Sequence, residues 1–309
     1  MTTRLVIDTD AGIDDAVALM LALGYPGAQV EAITTVCGNV SVDKVNANVL
    51  TILDAVGRTD VPVYAGASQP LVSSWAAEPI HGLDGLGNYH DRPRVKQRVE
   101  AEHAAWALIR LADAYPGELT LVALAPHTNL ALATRLDPTF PSKIKSLVFM
   151  GGTITARGNT DHIAAEWNIF CDPEAAFITL EAFPMAQMVS WETSLAFPLP
   201  AAEYQALIAR RTPATRLFER IYGIFTSPGA EIFMRDPLLI DALAMAAALD
   251  PSVITDSMQR YVTVEMHGTH SRGQTVIDHT GRLKRPANVD IITGFDMARV
   301  SAMLFESMG

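Results

Sequence analysis

Short runs of β-branched and apolar residues alternate with segments of helical period along most of this 309-residue chain. The apolar runs are RLVID, VEAITTVCG, LTLVALA, IKSLVFMGG and MAQMVSW, and helical patterns occupy 13–24, 42–57, 129–137 and 172–183. Such alternation predicts an α/β fold: an open, mostly parallel, Rossmann-like sheet with helices on both faces. No repeat, low-complexity tract or linker interrupts the pattern, so we expect one domain over residues 1–309.

The last third of the chain has a different pattern. QRYVTVEMHG, GQTVIDHTG and PANVDIIT read as short strands before a final helix at 295–308, and the first two have a hairpin-like separation. This predicts a small C-terminal β extension. Two long irregular stretches, 73–94 and 226–236, carry aromatic residues and are typical of loops that cover a binding site.

The charge balance excludes several classes of partner. The formal net charge is −11, and an acidic surface disfavours nucleic acid and anionic membranes. Neither Cys37 nor Cys171 lies in a metal-binding or redox spacing, which fits a reducing compartment. The N-terminal apolar run is too short for a signal peptide or a membrane span. We therefore expect a cytoplasmic protein that binds a small molecule.

Four aspartates crowd the first strand-to-helix junction, in DTDAGIDDA at residues 8–16. Acids at a helix N-terminus complement the helix dipole, and one or two of these side chains could do only that. Four acids after an apolar strand favour a cation, and the absence of a Cys or His cluster indicates a hard ion such as calcium or magnesium. Asp10 and Asp15 can converge on one point, and Asp236 or a backbone carbonyl of APHTN could complete the shell. The residues alone do not decide between these additional ligands.

DTDAGIDDA resembles the DTDxGxDDA signature of the inosine-uridine preferring nucleoside hydrolases. The segments CGN, APHTNLALA, MGGTITARGN, AEWNIFCDPEAA, RDPL and RGQTVID occur in that family's order and near its spacing. The resemblance covers essentially the whole chain, and it implies a nucleoside hydrolase-like domain that acts on small ribonucleosides. Because family members are commonly oligomeric, it also implies a homodimer or a homotetramer.

The resemblance assigns a role to each matching residue. Ca²⁺ would be held by Asp10, Asp15, the Thr128 carbonyl and Asp236. The ribose 2′-hydroxyl would donate to Asp14, and the other residues implied to touch the sugar or line its pocket are Asn39, Met150, Asn159, Glu166, Trp167 and Asn168. Of these, Asn168 would contact the 3′-hydroxyl, and Glu166 and Asn159 the 5′-hydroxyl.

The implied reaction is hydrolysis of the N-glycosidic bond, giving free base and ribose. A metal-bound water, activated by Asp10 as general base, would attack a sugar that develops positive charge in the transition state. Carboxylates around the ring would stabilise that charge.

One position departs from the family pattern. Many members carry a His, thought to protonate the leaving base, directly before the last metal-binding Asp; in RDPL this position is Arg235, and a guanidinium cannot give up a proton near neutral pH. His81, in the 73–94 loop, is the nearest replacement acid. A base stacked between aromatic side chains could also leave with less help, and the candidates are Trp75, Trp167, Tyr222 and Phe233.

Two other functions remain open at this stage. A strand ending in DTD is also found in magnesium-dependent phosphatases of the haloacid-dehalogenase type, although the acidic GIDDA continuation suits phosphate poorly. A calcium-dependent ribose- or nucleoside-binding protein without turnover would carry the same metal site and lack the proton donor.

Overall fold

The computed structural model of the chain describes residues 2–77, 79–226 and 236–309. The strands within these ranges are β1 Thr3–Thr9, β2 Ala28–Thr35, β3 Val63–Ala65, β4 Leu119–Ala123, β5 Ser146–Met150, β6 Ala186–Val189, β7 Ile254–Arg260, β8 Val262–Val264, β9 Thr275–Ile277 and β10 Val289–Phe295. The helices are α1 Ile13–Gly24, α2 Val42–Ala55, α3 Ala104–Ala114, α4 Thr128–Leu136, α5 Phe140–Lys143, α6 Trp167–Cys171, α7 Pro173–Ala182, α8 Trp191–Ala196, α9 Ala201–Ile208, α10 Pro213–Thr226, α11 Ile240–Leu249 and α12 Met297–Met308.

Eight strands form one sheet in the order β3-β2-β1-β4-β5-β6-β10-β7. Every neighbouring pair is parallel except β10 and β7, which are antiparallel at one edge. The predicted open, mostly parallel sheet is therefore confirmed. None of the described helices is long and apolar enough to cross a membrane.

Helices cover both faces of this sheet. Along β1, Leu5 and Ile7 belong to the hydrophobic cluster that includes α1, α11 and α12, whereas Val6 between them belongs to the cluster that includes α3, α4 and α7. Successive side chains of a strand point to opposite faces, so the two clusters are the two buried faces of the sheet. Burial on both faces explains why the strands read as continuous apolar runs.

The strand order reverses at β1. After β1 the chain adds β2 and β3 on one side, and then returns to add β4 on the other. Asp8 of β1 pairs with Ala123 of β4, so the carboxyl ends of these strands lie side by side. In open α/β sheets such a reversal opens a crevice where ligands bind, and the DTDAGIDDA segment lies at its mouth.

The C-terminal extension is smaller than the sequence pattern indicates. β8 and β9 form the predicted antiparallel hairpin as a separate two-stranded sheet. β7 and β10 instead join the main sheet, where β10 lies between β6 and β7. Ile291 and Ile292 of β10 are both fully buried there. The 73–94 stretch contains one 3-10 turn, Pro79–His81, and most of the 226–236 stretch lies outside the described residues.

Candidate active site

The turn after β1 places Asp15 at the start of α1. The Asp15 carboxylate accepts hydrogen bonds from the Thr9 hydroxyl and, at 2.8 Å, from the Gly12 backbone N–H. Ala11 within this turn adopts φ +40°, in the left-handed region that residues other than glycine rarely occupy. Asp15 therefore lies in the first turn of the helix, as the sequence predicts, and bonds to the backbone there. Its complete burial adds a cost that these hydrogen bonds alone do not explain.

Asp10 lies beside Asp15 and is fully buried. Its Oδ2 accepts a hydrogen bond of 2.7 Å from the backbone N–H of Asn39, while its Oδ1 has no hydrogen-bond partner among the described residues. The chain approaches closely here, because a Cβ on Gly38 would lie 2.0 Å from Asp10 Oδ2. One oxygen of this carboxylate is thus held in place and the other is left for a ligand.

The third buried carboxylate comes from α11. One carboxylate oxygen from each of Asp14, Asp15 and Asp241 lies within 4.8 Å of the others. Burial and then repulsion by Asp15 and Asp14 raise the pKa of Asp241 well above its usual range. The same cluster raises the pKa of Asp15 to about 6, chiefly by burial and then by repulsion from Asp14.

These carboxylates meet the requirements of a hard cation. Among the described residues, Asp10, Asp15 and Asp241 form no ion pair, and burial followed by repulsion from Asp15 also raises the pKa of Asp10. Buried charges without partners are costly unless they are neutralised by protonation or by a metal. Carboxylate oxygens without nitrogen or sulfur ligands are the donors that Ca²⁺ and Mg²⁺ prefer.

The structure does not bring Asp236 into this cluster. Asp236 is exposed, and its Oδ1 accepts a hydrogen bond of 2.7 Å from Ala201 N–H, near the start of α9. Asp241, five residues later, occupies the place that the sequence analysis gave to Asp236. Arg235 and Phe233 lie outside the described residues, and the residue directly before Asp241 is Ile240, which lines the cavity described below.

Thr128 is the first residue of α4 and is buried. Its hydroxyl donates to Asp172 Oδ2 at 2.7 Å, and Asp172 also caps α7 by accepting from Ala175 N–H. Ligation of a metal by the Thr128 carbonyl stays a prediction. His127 precedes it as the helix-start residue and is fully buried, which lowers the pKa of its ring to about 4.

Above the carboxylates lies a cavity of about 160 Å³. Many of the residues that the sequence predicts to contact the sugar, to line its pocket or to assist the leaving base line this cavity. They are Asp14, Asn39, His81, Met150, Asn159, Glu166, Trp167 and Asn168. They come from the carboxyl-end loops of several strands, so the fold gathers in one place what the sequence disperses over about 150 positions. Among the described residues that line the cavity, none is Lys or Arg.

Backbone amides hold the polar side chains at one end of the cavity. Glu166 caps α6 and accepts from Asn168 N–H and Gly152 N–H, each at 2.9 Å, while burial raises its pKa to about 7. Asn159 Oδ1 accepts from Trp167 N–H at 2.9 Å. Asn168 Nδ2 donates to the Leu124 carbonyl at 3.0 Å. These side chains are fixed before any ligand arrives, as selective binding of a polar ligand requires.

Apolar and aromatic side chains line much of the rest of the cavity, and those near α8, α10 and α11 are Trp191, Phe218, Tyr222, Phe225, Leu238 and Ile240. His81 lies at this cavity with its Nδ1 accepting from Ile13 N–H at 3.2 Å, so that its ring proton is on Nε2. Of the predicted stacking residues, Trp167 and Tyr222 line the cavity, whereas Trp75 does not and donates instead to the Gly38 carbonyl.

Asp241 does not belong to any of the motifs that predicted the site, although the sequence around it carries a signal. The segment IDALAMAAAL is apolar all round apart from this one acid, and a helix of that kind is buried. All residues of α11 after Ile240 are indeed buried. A single carboxylate in the first turn of a buried helix needs a partner, and this indicates a metal ligand more strongly than the RDPL motif does.

Comparisons with known proteins identify the family of the chain. The family model for inosine-uridine preferring nucleoside hydrolases matches residues 5–302. The curated relatives include an inosine-uridine preferring nucleoside hydrolase of Leishmania major, 36% identical over 93% of this chain and 91% of that protein. They also include a pyrimidine-specific ribonucleoside hydrolase of Photobacterium profundum, 32% identical over 97% of this chain and 96% of that protein.

A solved structure titled inosine-guanosine nucleoside hydrolase superposes with a TM-score of 0.91 at 34% identity, covering 99% of this chain and 98% of that one. The match extends through the whole sheet and both of its helical layers. The chain therefore belongs to the inosine-uridine preferring nucleoside hydrolase family.

Proposed function

We propose that this protein hydrolyses the N-glycosidic bond of ribonucleosides and releases free base and ribose, with Ca²⁺ as its metal. Hydrolysis of nucleosides is the activity of its family, whose members depend on a metal ion. The observation that carries the proposal is the set of buried carboxylates, Asp10, Asp15 and Asp241, at a cavity lined by polar groups that match a sugar.

Asp10, Asp15 and Asp241 would hold the ion, with the Thr128 carbonyl as a further ligand. When bound, a dication of this kind supplies charge neutralisation, orients the sugar diol and water, and lowers the pKa of that water. Its oxygen-only donor set supports Ca²⁺ or Mg²⁺, and the resemblance of the sequence to calcium-dependent hydrolases favours Ca²⁺.

The chain's own residues perform the remaining steps. The free Oδ1 of Asp10 accepts a proton from the attacking water as its oxygen bonds to C1′. The bond from C1′ to the base nitrogen breaks, and the electron pair leaves with the base. Asp14 accepts from the 2′-hydroxyl, and its carboxylate lies where positive charge develops on the ring.

At the other end of the ribose, Asn168 contacts the 3′-hydroxyl, and Glu166 with Asn159 holds the 5′-hydroxyl. Asn39, whose N–H fixes Asp10, supports the sugar and the water. Met150 and Trp167 close the walls of this subsite. The amide contacts of Glu166 and Asn159 support the assignment, because they leave these groups rigid before substrate binds.

Departure of the base is the step for which the site is least equipped. Ile240, at the position before the metal-binding Asp241, has no proton to give. His81 carries its ring proton on Nε2 at the cavity, and we assign it the hydrogen bond to the leaving base. Tyr222 and Trp167 supply aromatic surface for the base, which favours bases that leave with little protonation.

The experiment is a release assay on a panel of purine and pyrimidine ribonucleosides, with calcium and after chelation. Asp10→Ala is expected to abolish release, whereas Asp236→Ala, a matched exposed aspartate, is expected to retain it. The panel also measures the base preference. Release that survives chelation or Asp10→Ala would overturn the proposal.

The apolar Ile240 favours one second candidate, a calcium-dependent nucleoside-binding protein without turnover. Calcium-dependent binding with no base released from any nucleoside would support it. A phosphatase is disfavoured, since the chain belongs to a nucleoside hydrolase family and its cavity is lined by the acids Asp14, Glu166 and Asp241, which would repel a phosphate.

We further propose that the protein is a cytoplasmic homodimer or homotetramer. The resemblance to a family whose members are commonly oligomeric supports this proposal, and Trp106 of α3, which is 53% exposed, is a side chain that a subunit interface could cover. Sedimentation analysis measures the assembly directly, and a monomer at micromolar concentration would overturn this part of the proposal.

A further inference from the structure

The loop between β5 and α6, residues 151–166, carries Asn159 and Glu166. Its two ends are bonded to each other. Gly152 N–H donates to Glu166 Oε2 at 2.9 Å, and the Thr153 hydroxyl donates to the Ala164 carbonyl at 3.0 Å. The position of the Glu166 carboxylate in the cavity therefore depends on where the backbone of residues 152–153 lies.

The β8–β9 hairpin holds that backbone from outside the cavity. The Thr275 hydroxyl accepts from Thr153 N–H at 2.7 Å and donates to the Thr153 carbonyl at 2.6 Å. Thr275 is 2% exposed and does not line the cavity. Gly152 has φ +75°, and a Cβ there would lie 2.6 Å from Thr275 Cγ2, so the loop and the hairpin are in close contact.

The hairpin is itself attached to the body of the protein. Two nitrogens of the Arg272 guanidinium pair with the two oxygens of Glu174 in α7, at 2.9 and 3.0 Å. A Cβ on Gly273 would lie 2.8 Å from the Cα of Phe170 in α6. Because α6 follows Glu166 directly, the hairpin bridges both ends of the loop, and Thr275 is its contact with the first end.

We propose that Thr275 is a positioning residue for the 5′ end of the substrate ribose. Its hydroxyl fixes Thr153 and hence Gly152, whose N–H orients the Glu166 carboxylate toward the 5′-hydroxyl. This inference rests on the proposed function in one respect, the assignment of Glu166 and Asn159 to the 5′-hydroxyl. Thr275 itself does not touch the substrate.

The test compares a ribonucleoside with its 5′-deoxy counterpart. Thr275→Val keeps the shape of the side chain and removes both hydrogen bonds. It is expected to lower kcat/KM for the ribonucleoside by about tenfold, while kcat/KM for the 5′-deoxy compound changes by less than about twofold. Thr275→Ser restores the hydroxyl and is expected to restore discrimination. Thr263→Val removes a hydroxyl from the same hairpin, in β8, and is the matched control.

The same comparison is made by calorimetry for ribose and 5-deoxyribose, which have no bond to hydrolyse, in the presence of calcium, so that the inference is tested whether or not turnover occurs. Equal losses on both compounds, or no loss on either, would overturn the role of Thr275. Absence of turnover in the wild type, with the Thr275-dependent difference in binding retained, would overturn the hydrolase assignment alone. Thr263→Val is expected to keep the wild-type difference between the two compounds. If Thr263→Val also loses this difference, the effect belongs to the general stability of the hairpin, and the inference is overturned.

Discussion

Asp241→Asn removes one negative charge from the group of buried carboxylates at the floor of the cavity and keeps the size of the side chain. Asp241 is 2% exposed, and its pKa is raised by burial and then by Asp15, Asp14 and Asp10. We expect the substitution to have opposite effects on stability in the absence and in the presence of metal.

The pKa shift of Asp15, in the same cluster, indicates how much free energy an ionised carboxylate costs here. Its pKa rises from 3.8 to about 6, and each unit corresponds to about 1.4 kcal/mol, so holding this carboxylate ionised costs the metal-free fold about 3 kcal/mol. The pKa is raised in the folded state, so its stabilising contribution is complete below pH 3.8 and is lost as the pH rises through about 6. The pKa of Asp241 is likewise raised, by burial and then by Asp15 and Asp14, so Asp241→Asn removes a cost of the same kind. We expect the metal-free variant to be more stable than wild type at pH 7 by roughly 1–3 kcal/mol.

With metal the order reverses. A ligand at 1,000 times its Kd stabilises the folded state by about 4 kcal/mol. We expect Asp241→Asn to lose most of this increment, because the ion loses one of its charged ligands. Chemical denaturation in EDTA and in excess calcium, at pH 7, measures both quantities on one variant.

Asp236→Asn is the matched control for this experiment. Its side-chain oxygen can still accept from Ala201 N–H, so we expect its stability to stay within about 0.5 kcal/mol of wild type in both conditions. A metal-free Asp241→Asn variant less stable than wild type would contradict the expected relief of cost. A calcium increment as large as that of wild type would contradict the role of Asp241 as a metal ligand.

Three further predictions follow from the described contacts. His127→Leu replaces a buried ring whose nitrogens have no partner among the described residues. The pKa of His127 falls from 6.5 to about 4 in the fold because the ring is buried. The wild-type protein should therefore lose about 3 kcal/mol of its free energy of unfolding as the pH falls from 6.5 to 4. Denaturation against pH should show that loss much reduced in the variant, and an unchanged pH profile would contradict this. Ile240→His should raise kcat/KM by about tenfold or more on nucleosides but not on p-nitrophenyl riboside, whose leaving group needs no proton; equal effects on both would contradict it. Gly38→Ala places a Cβ 2.0 Å from Asp10 Oδ2 and should weaken calcium binding by calorimetry at least about tenfold, whereas Gly223→Ala, with nothing within 4 Å, should not.

The class of fold and the place of the site could be predicted from local sequence patterns. Apolar runs such as LTLVALA have no polar alternation, because both faces of a parallel strand are buried, and this pattern is local and readable. DTDAGIDDA joins the end of an apolar strand to the start of a helix, and ligands of open α/β sheets bind outside the carboxyl ends of the strands, so the segment indicated where the site lies. Asp10 and Asp15 could be paired from sequence because they belong to one turn and the helix that it starts.

The distant residues that complete the site became known from the packing of the helices and strands. Asp236 and Asp241 are five residues apart near the start of α11, and the motif RDPL drew attention to the first. Packing of α11 against α1 instead buries Asp241 beside Asp14 and Asp15 and leaves Asp236 exposed at α9. The same packing puts Ile240 at the cavity wall. The residue that matters for departure of the base is therefore Ile240 and not Arg235. Local sequence specifies that a helix begins there, but which turn of that helix faces the carboxylates depends on contacts between elements more than 200 residues apart.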